Sequence, residues 1–151
     1  TYRGYAEEIE NGAAQNPLLE SLDLTAVHLA LDQLDEAAAA WESAYAAVRS
    51  ITETDVAQRP EAFAELNRLL YTTERRLSDP AGLPDREWFR HLVYAPGFYT
   101  GYGVKTMPGI REAVEDVPDL AVARTQAARV AAALEAYAAQ VRMAAELLSR
   151  I

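Results

Sequence analysis

Apolar residues recur along three stretches of the chain in alternating steps of three and four, the spacing of one face of an α-helix. The clearest stretch runs Leu24, Val27, Leu31, Leu34, Ala38, Trp41, Tyr45 and Val48. It predicts a long helix, N-capped by Asp23 and fading near Ile51-Thr52. A second helix is expected from Pro60-Glu61, where the missing N–H of proline costs little in a first turn. It carries Phe63, Leu66, Leu70 and Leu77 inward and stops before Asp79-Pro80. The third begins near Pro118-Asp119 and holds the alternation through Leu120, Ala123, Ala127, Val130, Leu134, Tyr137, Val141, Ala144, Leu148 and Ile151. Tyr2, Tyr5 and Ile9 predict a shorter helix at the start. The pattern therefore implies an all-α fold, an antiparallel four-helix bundle with small residues at Ala38, Ala123, Ala127 and Ala144 allowing close approach. The only β-leaning run, Leu92-Val93-Tyr94, is too short to build a sheet.

The periodicity fails between the third and fourth helices. Residues 77 to 110 hold four of the seven prolines and five of the seven glycines, with little repeat. So long a connection is unusual inside a compact domain. Its Trp88, Phe89, Tyr94, Phe98, Tyr99 and Tyr102 make it too aromatic for a solvated linker. An ordered loop laid over the helical scaffold is expected, and such loops are where function concentrates.

A length of 151 residues suits one domain with a sizeable core and is too short for two. The net charge of −9 argues against nucleic acid, whose phosphates need clustered Lys and Arg, and against an anionic membrane surface. No cysteine is present, which excludes disulfides and thiolate metal sites. No apolar run approaches the length that spans a bilayer. Opening on Thr1-Tyr2-Arg3-Gly4 rather than Met, the chain is expected to be a piece of a longer polypeptide. Its compartment stays open, an exported, periplasmic or membrane-anchored parent being compatible.

Catalytic candidates are few. His28 has Asp32 one turn later, but no His-Glu-x-x-His motif supports a metal site, so it reads as a histidine at the edge of the seam. His91, among aromatics, reads as a structural anchor of the loop. No Gly-x-Ser-x-Gly elbow exists. Gly101-Tyr102-Gly103-Val104-Lys105-Thr106 fails as a Walker loop, because Val104 separates Gly103 from Lys105 and no strand is expected before it. Asp32, Asp35 and Glu36, like Glu112, Glu115 and Asp116, read as solvated helix faces. The chain alone holds no catalytic set and no metal-ligand set.

Several pieces of the loop nevertheless form an ordered set. Asn67-Arg68-Leu69-Leu70, Glu74-Arg75, Asp79-Pro80-Ala81-Gly82-Leu83-Pro84-Asp85-Arg86, Arg90-His91-Leu92-Val93-Tyr94-Ala95-Pro96 and Pro108-Gly109-Ile110-Arg111-Glu112-Ala113 together resemble the transferrin receptor-like dimerisation domain. That domain ends the polypeptide in the glutamate carboxypeptidase II and transferrin receptor family. The resemblance is dense from about residue 63 to 116, extends to the Ala-rich last helix, and is only a helical pattern before that.

The resemblance implies a single helical domain over residues 1–151, from the C-terminus of a larger hydrolase that binds zinc in a separate peptidase domain. The implied partners are that peptidase domain and a second subunit, as a homodimer. In the peptidase branch of the family the loop also reaches the substrate cleft, where a Lys-Tyr pair holds the carboxylate of a C-terminal glutamate. Tyr102 matches the tyrosine, but Gly101 stands where the lysine would be; Lys105, three residues after Tyr102, is the candidate replacement for its charge. Catalytic groups and cofactors are thus expected outside this chain. The alternative is a stand-alone or receptor-type helical interaction domain without peptidase activity.

Overall fold

The computed structural model describes residues 2–151. Six α-helices carry the architecture: α1 (Tyr2–Ala13), α2 (Thr25–Ala47), α3 (Glu53–Gln58), α4 (Pro60–Thr72), α5 (Pro108–Glu115) and α6 (Leu120–Leu148). Two strands, β1 (Tyr94–Pro96) and β2 (Val104–Thr106), form a small antiparallel ribbon pairing Tyr94 with Thr106 and Pro96 with Val104. The four anticipated helices are α1, α2, α4 and α6, and the fold is all-α apart from the ribbon.

The 29-residue α6 is the common strut, about 43 Å long at 1.5 Å per residue. Asp119 caps it, accepting the N–H of Val122 at 3.0 Å. Its first half shares a core with α1, the first half of α2, α5 and the loop, centred on fully buried Ile9, Val27, Leu77, Val93, Ile110 and Leu134. Its second half meets the end of α2 and α4 in a smaller core of Ala44, Leu66, Leu69, Ala144, Ala145 and Leu148.

Several details differ from the sequence pattern. Asp23 accepts the N–H of Thr25 at 2.8 Å, but Leu24 occupies the N-cap position. In α2, Ala37 and Ala44 are buried whereas Ala38 and Tyr45 are exposed. The larger Trp41 and Tyr45 stack on each other at 6.1 Å instead. In α4, Leu69 replaces Leu70 at the core, and Leu70 is 42% exposed. Tightening of the chain into a 3₁₀ turn over Thr73–Leu77 shifts the register, because three residues per turn rotate the stripe relative to an α-helix. The six-residue α3 begins with a reciprocal capping box between Thr52 and Asp55. The expected long loop contains the ribbon and α5, so Leu92-Val93-Tyr94 does lead into a strand, paired with β2 rather than joined to a larger sheet.

No helix among the described residues is long and apolar enough to cross a membrane.

Candidate functional site

The loop is fixed to α6 at its root. Asp79 accepts the N–H of Ala81 at 2.8 Å, the side-chain turn that Asp favours before a bend. Its other oxygen takes Arg129 Nε at 2.8 Å, and Arg129 Nη2 reaches the carbonyl of Gly82 at 2.6 Å. These bonds, Arg129 foremost, hold the Asp79 carboxyl below the usual range. Gly82 is required here: its φ is +67°, and a Cβ would lie 2.2 Å from the Glu87 carbonyl oxygen.

A buried ion pair follows. Arg86 Nη2 donates to both oxygens of Glu112 on α5, at 2.7 and 2.8 Å. Glu112 Oε1 also accepts the N–H of Phe98 at 2.9 Å. The sequence pattern placed Glu112 on a solvated face, but its side chain is only 14% exposed. A lone Glu in a short helix gives no sign of this; the signal lay in the Asp85-Arg86 pair, whose arginine had to find a partner once buried.

His91 is the anchor its neighbours suggested. Its Nδ1 accepts the N–H groups of Val93 and Tyr94 at 3.3 and 3.0 Å, which places the proton on Nε2, 3.2 Å from Glu74. Tyr94 stacks on His91 and meets Tyr2 and Tyr5 at ring separations of 6.0 and 6.2 Å. Burial there, with the Tyr5 hydroxyl, raises the Tyr94 hydroxyl well above the ordinary tyrosine range. His28 pairs with Glu10 on α1 at 2.8 Å, while Asp32 takes Arg3 at 2.9 Å. His28 and Asp32 are therefore engaged separately, and among the described residues no group of three or more His, Asp or Glu is placed to hold a metal ion.

Beyond the ribbon the chain forms a tip. The N–H of Gly97 and the hydroxyl of Thr100 both donate to the Gly103 carbonyl, at 3.0 and 2.9 Å, and Gly101 turns the corner at φ +61°. Tyr102 stands at this tip fully exposed, with Tyr99 68% exposed beside it. Lys105 is placed differently. Its side chain is 10% exposed and its Nζ lies 2.7 Å from Asp116 and 3.2 Å from Glu115. That ammonium pins β2 to the end of α5, so the structure separates Tyr102 and Lys105 into a free tip and an anchored base. Strand β1 does precede the Gly101–Thr106 run, but the chain turns back as a ribbon, without the helix a phosphate loop requires.

The family model of the transferrin receptor-like dimerisation domain matches residues 22–142. The chain belongs to this family. Among curated relatives, it is 43% identical over 56 residues to a probable glutamate carboxypeptidase of Arabidopsis thaliana, covering 37% of this chain and 8% of that protein. It is 44% identical over 50 residues to a probable glutamate carboxypeptidase of Arthroderma benhamiae, covering 33% and 7%. An inactive zinc metalloprotease of Schizosaccharomyces pombe is 33% identical over 78 residues, covering 52% and 10%. The chain thus spans no more than about a tenth of these relatives.

Proposed function

We propose that this chain is the C-terminal dimerisation domain of a larger zinc-dependent carboxypeptidase, catalytically inert by itself. In this reading it packs on its own peptidase domain and on a second subunit, and presents Tyr102 to the C-terminal carboxylate of a peptide substrate. Family membership and the two glutamate carboxypeptidase relatives support the parent activity. The observation that carries the cleft contact is the exposed Tyr102 on a tip whose base is pinned by buried charges. A neutral hydroxyl on a rigid loop is suited to donate to a carboxylate, because little ordering remains to be done on binding. Lys105, already shared between two carboxylates, serves the base of the ribbon, which leaves Tyr102 as the direct contact.

The residues of this chain do not form a zinc site, so zinc in this reading belongs to the rest of the protein. The test uses the isolated chain and the natural-length protein side by side. The chain melts at the same temperature with and without chelator and releases no product from N-acyl dipeptides, while the natural-length protein hydrolyses them, sediments as a dimer and loses activity on zinc removal. A second reading, a helical interaction domain in a non-catalytic parent, is favoured by the inactive relative. A natural-length protein that dimerises without hydrolysing peptides selects it.

A further inference from the structure

Glu112 joins three parts of the site. It rises from α5, which is seated tightly on α6: a Cβ on Gly109 would lie 2.7 Å from Gln126 Oε1. Both its oxygens hold the buried Arg86, and one of them also holds the backbone N–H of Phe98. Phe98 is the first residue past Gly97 in the tip that ends at Gly103, so its amide sets the direction in which that tip leaves the scaffold. Arg86 completes the grip, its guanidinium lying 5.6 Å from the Phe98 ring and 5.9 Å from that of Phe89. Arg86 Nε has no partner among the described residues, so the guanidinium relies on Glu112 for its charge compensation. A carboxylate that only balanced Arg86 would not also need the tip amide.

We propose that Glu112 is a positioning residue for Tyr102, fixing through Arg86 and the Phe98 amide the direction in which the hydroxyl meets the substrate carboxylate. The inference rests on the cleft reading of Tyr102 given above. Glu112 touches no substrate in this account. It acts only by holding the tip.

Two experiments separate this inference from that reading. The first uses amide hydrogen exchange on the chain itself, comparing wild type with Glu112→Ala and with the volume-matched pair Arg86→Met/Glu112→Leu. The pair removes both charges and the amide acceptor, and so guards against loss of fold from an unpaired arginine. The expected result is exchange at residues 98–103 faster by about tenfold or more, with amides of α2 and α6 unchanged. Equal acceleration throughout, or none at the tip, overturns the inference.

The second experiment measures peptide hydrolysis by the natural-length protein. The Arg86→Met/Glu112→Leu pair is expected to raise KM about tenfold with little change in kcat, and to add nothing in a Tyr102→Phe background, since its effect runs through that hydroxyl. Glu112→Asp, which keeps the charge, restores part of the loss. An equal KM penalty with and without the Tyr102 hydroxyl overturns the inference. If Tyr102→Phe alone changes nothing while the tip amides still loosen, the cleft reading falls and the positioning of the tip by Glu112 stands.

Discussion

Leu134 is fully buried in the larger core, and it lies on the stripe that the spacing along α6 identifies. Leu134→Ala removes its contacts and leaves a cavity the long helix cannot close, so chemical denaturation is expected to show a loss of about 2 to 5 kcal/mol. Residues of this kind are legible because burial of a leucine on a regular helix needs only the period. Glu112 and Lys105 were not legible in the same way. Each owes its place to a partner distant in the chain, Arg86 for one and Asp116 for the other, and charge alone does not say whether it will be buried. Tyr102 is the reverse case: its full exposure agrees with a loop residue, but the pairings that hold the tip under it come from tertiary contact.

At the level of elements, long amphipathic helices were read correctly and short ones were missed. The capping box of α3 is visible as Thr52-x-x-Asp55, yet six residues carry too few apolar positions to show a period. Helix α5 opens on Pro108-Gly109, a pair that reads as a turn; Pro is acceptable in its first turn, and Gly109 is needed for its close seat on α6. The shift from Leu70 to Leu69 follows from the 3₁₀ turn after α4, which no spacing argument foresees. The root of the loop has its own pH dependence. Arg129 and the Ala81 N–H depress the Asp79 carboxyl in the folded state, so its contribution is complete above the unfolded carboxylate pKa of about 4. That contribution is lost as the pH falls toward the lower folded value. Denaturation measured between pH 6 and pH 3 is expected to show a smaller acid-induced loss in Asp79→Asn than in wild type, and the Arg129 pairing to matter at neutral pH only.

For the whole molecule, the arrangement divides labour between a scaffold and a presented tip. Helices α2, α4 and α6 supply two cores joined along one strut, and the loop is fixed to that strut by Asp79–Arg129, Arg86–Glu112 and Lys105–Asp116. Only the tip beyond those ties extends free, which is the geometry expected of a domain that contributes one contact to a cleft built elsewhere. Steady-state kinetics of Tyr102→Phe in the natural-length protein test this most directly. Loss of one hydrogen bond to a charged group, worth about 1.5 to 3 kcal/mol, predicts a fall in kcat/KM of about ten- to a hundredfold, with fold and dimer intact. Unchanged kinetics in a correctly folded dimer would contradict the account and leave the tip outside the active site.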